Sequence, residues 1–354
     1  APERKALLVD LGVSRHGRFK GDKSLEIVAG RVAKILGRTN IDYFLLSHLH
    51  TDHMGYETDG FVGLIDRTEP GFTIGTIIDT GNISKTYVNR SGTAAVYPSL
   101  VNRWKREGKV GARVRPEFGT GQIDLGGGIE VDILAFAGKL YASDKGAHWR
   151  YEEEFGTRYD ANPTSENDLS ISLEITLGNF EFWTGGDLSG ADGDGTDRLS
   201  GSGDGYTNIE LPMAQRWRAR GRESDVEIYR ANHHGSKYSS SAPLLADLDP
   251  EFVLYSAEEG HNHPNPETVL RVYETGRQFA TDLDPDKWGD GADFVAMRGD
   301  VVGEINIFVD GTGARYEIEG ECHAAFSDER EAADADDGAE DIGVDLAVGK
   351  SCIE

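Results

Sequence analysis

The chain has 354 residues, enough for two average domains or for one large α/β core with insertions, and carries a formal charge of −26 from 62 acidic against 36 basic side chains. That balance works against a broad nucleic-acid-binding surface, which needs clustered lysine and arginine, so any anionic substrate has to be captured locally. No run of about 18 apolar residues occurs, so the sequence offers no membrane span, and 24 arginines against 12 lysines fit a protein kept soluble in salt, or simply an exported one.

The chain starts Ala1-Pro2-Glu3 rather than with Met. A signal peptidase leaves such an end, so a secreted or periplasmic location is expected. Ala6 to Leu11 read as a buried strand that turns at Gly12, and Leu25, Val28, Val32, Ile35 and Leu36 recur at helical spacing between a capping Ser24 and a terminating Gly37. Residues 41–47 form a second apolar strand that runs straight into a histidine-rich stretch, which places that stretch on a loop at the strand's C-terminal end. From about 56 to 130 the pattern is less regular, with a short strand at 76–79, a helix predicted over 97–107 and a closing turn at Gly126-Gly127-Gly128. A strand follows at 129–136, and residues 139–166 read as an insertion or surface lid.

A hairpin over 169–184, turned at Gly178-Asn179, delivers Gly185-Gly186-Asp187. A helix near 209–220, a strand at 226–231 leading to Asn232-His233-His234-Gly235-Ser236, and a strand at 252–256 leading to His261-Asn262-His263-Pro264 come next. A helix with Pro266 in its first turn and a hairpin over 304–318 complete the body. Residues 1–320 are therefore expected to form one domain, a two-sheet α/β sandwich flanked by helices with insertions near 56–120 and 139–166. Residues 321–354 are expected as an acidic tail. The two cysteines, Cys322 and Cys352, bracket that tail, and a disulfide between them would tether it; two separate thiols are the alternative.

His48, His50, Asp52 and His53 pack four metal-ligand side chains into six residues, of types that suit zinc, manganese or iron. Of ten histidines, seven fall in three clusters, 48/50/53, 233/234 and 261/263, each after a predicted strand. Strand ends at one edge of a sandwich converge, so the clusters can meet as one site. Asp187, also at a strand end, can reach the same centre and bridge two ions. The Gly/Asp run 192–197 suggests calcium, but Gly203 stands where a calcium loop needs glutamate, so it reads as a plain loop.

The ordered motifs Leu8 to Gly12, Ser47 to Gly55, Asn167 to Ser170, Thr184 to Asp187, His233 to Lys237 and His263-Pro264 resemble the metallo-β-lactamase superfamily, with the His-x-His-x-Asp-His loop at His48 to His53. Within it they look most like the hydrolase domain of ComEC-type DNA-uptake proteins. The resemblance implies an αββα sandwich of two mixed sheets and two divalent ions, zinc first, with manganese or iron as alternatives. It further implies that His48 and His50 hold one ion, that Asp52 and His53 hold the other, that Asp187 bridges, and that His234 and His263 complete the sets. Two departures stand out. The superfamily's further histidine ahead of the strand pair is absent, the stretch reading Glu166-Asn167-Asp168, and the usual Thr-Gly-Asp is stretched to Thr-Gly-Gly-Asp. Whether His234 replaces the missing ligand is left open.

Two such ions acidify a shared water, making hydroxide available near neutral pH. Asp52 is suited to orient that water and take its proton, and Ser236, Lys237 and the amides around Gly235 could hold a phosphate or oxyanion. His233 and His261 are expected to support ligands or touch substrate. The ComEC-like resemblance implies phosphodiester hydrolysis, of single-stranded DNA or another nucleotide substrate, and no obligate protein partner is expected. Carboxylic ester, lactone or β-lactam hydrolysis is the alternative, and a non-catalytic metal-binding module a third reading. Two basic stretches, Arg103 to Arg115 and Arg216 to Arg222, could guide an anionic strand or be solvated faces.

Overall fold

The computed structural model describes residues 5–12, 22–56, 59–69, 71–81, 92–119, 121–137, 139–141, 148–150, 166–190, 208–219, 226–257, 263–273, 277–280, 305–318 and 321–325. Four parallel strands, β1 (Leu7–Val9), β2 (Asn40–Leu46), β3 (Thr73–Asp79) and β4 (Val110–Val114), form one sheet in that order. Parallel strands need helical crossovers, and here these are α1 (Asp22–Leu36) before β2, α2 (Thr51–Met54) and α3 (Gly60–Asp66) before β3, and α4 (Gly92–Arg106) before β4.

With both faces covered, β2 is apolar on successive residues rather than alternately. Phe44 and Leu46 join Leu25, Phe61, Val62, Tyr97 and Trp104 under the helices, while Leu45 turns to the opposite side and joins Val131, Ile133 and Leu173 of the second sheet. That second sheet has eight strands, ordered β12-β11-β10-β9-β8-β5-β6-β7: β5 (Glu130–Phe136), β6 (Lys139–Tyr141), β7 (His148–Arg150), β8 (Ser172–Leu177), β9 (Phe180–Thr184), β10 (Ile228–Arg230), β11 (Phe252–Tyr255) and β12 (Arg277–Ala280). Strands β9 to β12 run parallel and the rest antiparallel. Its outer face packs Trp183, Tyr229, Val253 and Tyr255 under α5 (Glu210–Ala219), α6 (Ala242–Leu248) and α7 (Pro266–Tyr273). The layers are helix, sheet, sheet, helix, as the sequence predicts.

Alternation along β10 and β11 decides what the remaining face does. Ile228, Phe252 and Leu254 point away from those helices and meet Tyr316 and Ile318 of a small antiparallel sheet, β13 (Ile307–Val309), β14 (Arg315–Ile318) and β15 (Glu321–Ala324). The expected tail boundary therefore moves: residues 321–324 form β15 and pair with β14, Cys322 lies on β15, and Cys352 lies outside the described residues. The expected 139–166 insertion is also partly sheet, since β6 and β7 extend the eight-stranded sheet from β5. None of the described helices is long and apolar enough to cross a membrane.

Topology explains why distant motifs meet. In β9, β10 and β11, Thr184, Arg230 and Leu254 lie side by side in parallel register, so the chain leaves the sheet at one edge, at Gly185, at Ala231 and, one residue later, at Ser256. The first sheet delivers Asp10 and Ser47 to the same place, since Val9 pairs with Leu45 and the Ile171 amide donates to the Ser47 carbonyl across the layers at 3.0 Å.

Candidate metal centre

Each loop at this edge is shaped by backbone that leaves a side chain no choice of direction. Gly12 lies against the backbone of Asp52 so closely that a Cβ there would fall on the Asp52 carbonyl. Only glycine lets the 10–12 turn cradle the histidine loop. His50 precedes the single turn of α2, whose residues Asp52 and His53 then project from one short helix. The stretched Gly-Gly pair before Asp187 is absorbed by a turn in which Gly186 takes φ +60°, and a Cβ there would meet Ser47 Cβ at 2.9 Å. His233 and His234 both adopt left-handed backbone, φ 49° and 55°, a conformation costing about 1–2 kcal/mol at a residue with a Cβ.

What supports those two strained residues is Asn232, fully buried and held from three sides. Its amide N donates to the Tyr229 hydroxyl at 3.0 Å, its Nδ2 to Glu210 Oε1 at 2.8 Å, and its Oδ1 accepts from the Gly185 amide at 3.0 Å. Glu210 also accepts from the Ser240 and Ser241 amides at 2.7 and 2.6 Å. Burial pushes its carboxyl above the ordinary glutamate range while these donors hold it back. The His233 amide donates to the Gly186 carbonyl at 3.0 Å, so the loops of Asp187 and of the histidine pair are one unit.

Two compact donor sets result: Asp52, His53, Asp187 and His234 in one, and His48, His50 and Asp187 in the other. Asp187 divides its carboxylate between them. Oδ1 lies 3.1 Å from His53 Nε2 and 3.6 Å from His234 Nε2, while Oδ2 lies 3.7 Å from His48 Nε2 and 3.8 Å from His233 Nε2. His234 therefore belongs with Asp52 and His53; it does not replace the missing ligand of the His48 set. Of the residues expected as ligands, His263 is in neither set, its ring standing 5.5 Å from that of His233 with Nδ1 3.2 Å from Asn265 Oδ1.

The far nitrogens of the rings set which atoms face inward. His234 Nδ1 can only donate to the Ser256 carbonyl, at 2.6 Å, which turns Nε2 toward Asp52 and Asp187. His53 Nδ1 donates to Asp10 Oδ2 at 2.7 Å, and Asp10 also accepts from the Ser47 amide and hydroxyl at 2.8 Å each. This is the carboxylate–histidine arrangement that orients metal ligands. Asp10 lies within the Leu8 to Gly12 stretch, to which the sequence assigned no chemical role; a carboxylate at the end of the first strand was the signal available. Glu210 and Asn232 gave no sequence signal, because their function is to position other residues.

The donors fit a divalent cation. Asp187 Oδ1 is buried without a hydrogen bond, and ring nitrogens crowd together, His53 Nε2 to His234 Nε2 at 3.1 Å and His48 Nε2 to His50 Nδ1 at 2.9 Å. Burial above all keeps His48 and His50 neutral, and it lowers His233 to about 4. For His53 burial acts the same way but is outweighed by Asp187 and Asp10, which raise it well above the usual histidine range. The burial of Asp187 is likewise outweighed, by His53, His234, His233 and His48, and its carboxyl stays ionised to low pH.

The other expected residues lie as follows. Asp52 is half-exposed at the rim, with His234 Nε2 at 3.4 Å from its Oδ2. Ser236 is buried, its hydroxyl accepting from the Tyr238 amide at 3.4 Å, and Lys237 is exposed with Nζ 4.8 Å from the Tyr238 ring centre. In the basic stretch, Arg103 and Lys109 pair with Asp66, and Arg113 makes a two-pronged pair with Asp79, so these charges hold the fold. His261, the 192–197 run and the side chains of Arg216 to Arg222 lie outside the described residues.

No protein-family model matches the chain, and no curated protein matches it. Among solved structures, the metallo-β-lactamase fold protein YhfI of Bacillus subtilis aligns over 79% of this chain and 85% of its own at 10% identity, TM-score 0.38. An E377D mutant of the β-hydroxylase CmlA aligns over 70% of this chain at 16% identity, TM-score 0.35, and the match spans only 42% of that protein. A diphosphatase of the PhnP family aligns over 71% of this chain and 64% of its own at 10% identity, TM-score 0.29. Similarity at this level bears on architecture at most. The chemistry rests on the residues of this chain.

Proposed function

We propose that the protein is a binuclear metal-dependent hydrolase acting on phosphodiester bonds, with single-stranded DNA or another nucleotide as substrate. The observation that carries the binuclear reading is the division of Asp187, one carboxylate oxygen toward each imidazole group. When bound, a pair of divalent cations lowers the pKa of a shared water toward neutrality and offsets negative charge growing on the substrate.

The chain's own groups supply the rest. Asp52 is exposed enough to touch solvent yet fixed beside His234, which suits it to orient the attacking water and receive its proton. Asp10 holds His53, and Ser47 Oγ, 3.0 Å from His48 Nδ1, holds His48, so the inward-facing nitrogens are set before substrate arrives. The preference for phosphodiesters follows the ComEC-like motif order. An overall charge of −26 leaves capture of such a substrate to the cations and to local groups such as Lys237.

The test is a substrate panel with the zinc- or manganese-loaded protein: bis-p-nitrophenyl phosphate and single-stranded DNA beside a lactone, a simple ester and nitrocefin. Phosphodiester turnover that disappears in Asp187→Ala supports the reading. Turnover of carbonyl substrates alone refutes the phosphodiesterase assignment, and less than one transition metal per chain refutes the hydrolase.

A further inference from the structure

The geometry points to His233 as a direct ligand of the ion held by His48 and His50, the counterpart of His234 on the other ion. This rests on the binuclear reading above and assigns a residue within it. Asp187 has two carboxylate oxygens facing different imidazoles. Its Oδ1 has two imidazole nitrogens within reach, His53 and His234, at 3.1 and 3.6 Å, and its Oδ2 also has two, His48 and His233, at 3.7 and 3.8 Å. Donors about 2.0–2.1 Å from a tetrahedral ion lie about 3.4 Å apart. The separations around Oδ2, together with 2.9 Å between His48 Nε2 and His50 Nδ1, bracket that spacing.

Backbone geometry supports the same assignment. Consecutive histidines in ordinary extended or helical backbone diverge, but two successive left-handed residues, anchored by Asn232 and the Gly186 carbonyl, send one ring to each side of Asp187. Two strained residues in a row cost stability, and a loop that needed only His234 would need only one. His233 stands just outside the compact set, with Asn167 Nδ2 3.3 Å from its Nε2. Asn167 occupies the stretch where the sequence lacks a histidine, so Nε2 must exchange this contact for the ion as the ion loads.

The decisive measurement is metal content and affinity, with activity left aside. Chelator-stripped protein is reloaded with zinc or cobalt(II) and assayed by elemental analysis, competition with a chromophoric chelator and cobalt absorption. Wild type should take up two ions per chain. His233→Asn, chosen because asparagine tolerates left-handed backbone, should retain the ion of the Asp52 set and lose affinity for the other by more than about a hundredfold, beyond the ten- to hundredfold cost of losing an outer partner. The retained ion shows that the variant is folded. His233→Gly should regain the second ion when millimolar imidazole is added, a rescue that a purely structural histidine would not give, and His263→Asn should keep both ions.

Two ions bound to His233→Asn with affinities within about threefold of wild type overturn the assignment, as does a His233→Gly protein that imidazole leaves at one ion. Wild type that binds less than one ion overturns the binuclear reading itself. Wild type that binds two and cleaves no phosphodiester overturns the substrate assignment and leaves the role of His233 standing.

Discussion

Replacing Glu210 with alanine is expected to unfasten both metal loops although Glu210 belongs to neither donor set. Its carboxylate is fully buried and accepts from the Asn232 side chain and from the Ser240 and Ser241 amides, at 2.8, 2.7 and 2.6 Å. A buried donor left without its acceptor costs about 1–3 kcal/mol. Asn232 can turn its amide to recover part of one bond, which puts the loss for Glu210→Ala at about 3–5 kcal/mol, the range for breaking a buried charged network. Glu210→Gln keeps one acceptor oxygen but sets an NH2 against the Ser241 amide, and about 1–2 kcal/mol is expected. Because Asn232 also accepts from Gly185, the alanine variant should bind zinc about ten- to hundredfold more weakly, as for other supporting partners of ligands. Urea denaturation of the metal-free proteins and chelator competition of the loaded ones measure both quantities. A loss below about 1 kcal/mol in Glu210→Ala, or a glutamine variant as damaged as the alanine one, would refute the reasoning.

Asp10→Ala should leave the fold intact but weaken zinc binding about ten- to hundredfold by freeing the His53 ring, measured by the same competition; unchanged affinity would remove Asp10 from the site. Asp79→Ala should cost about 3 kcal/mol on denaturation, because Arg113 loses its two-pronged partner beside buried Tyr97. Metal-free protein should be most stable near pH 6.5. His48, His50 and His233 have lowered values, so the folded state resists their protonation and stability falls as pH drops from about 6.5 toward 4, by about 3 kcal/mol for His233 alone. His53 has a raised value, so its contribution is complete below about 6.5 and is lost as pH climbs through its folded value. Denaturation midpoints at pH 5, 6.5 and 8.5 check this, and stability rising steadily to 8.5 would contradict it.

The layered fold was legible because apolar periodicity registers burial. Leu25, Ala29 and Val32 line the packed face of α1, and Phe44, Leu45 and Leu46 fill β2, buried on both sides. The helix expected at 97–107 begins earlier, at Gly92, with Pro98 inside it, because tertiary packing of Ala94 and Tyr97 overrides the break that proline suggests. The strands β4, β6, β7, β12 and β15 and the helices α2, α3 and α6 escaped notice, since segments of three to seven residues carry too few positions to establish a period. The candidate donor sets were readable because histidine and aspartate clusters announce themselves by chemistry. Their allocation was not: which set takes His234, and that His263 stands aside, depends on left-handed backbone at His233 and His234 that no composition encodes.

The metal-free centre carries a charge pattern that only a cation resolves. Asp10, Asp52 and Asp187 converge on imidazoles of which burial keeps His48, His50 and His233 neutral, and the compensating charge falls on His53, pinned between Asp10 and Asp187. A proton on His53 Nε2 is thus a stand-in for an ion at the same nitrogen, and loading must expel it. Proton release and metal uptake are then one event. The apparent affinity of the Asp52 set should climb with pH up to the folded pKa of His53 and flatten beyond it, whereas the His48 set, already neutral near pH 6.5, should bind with little pH dependence above that point. Calorimetric titration in two buffers of different ionisation enthalpy distinguishes the sets by protons released per ion. Equal proton release from both would show that the charge is shared across the centre rather than held on His53.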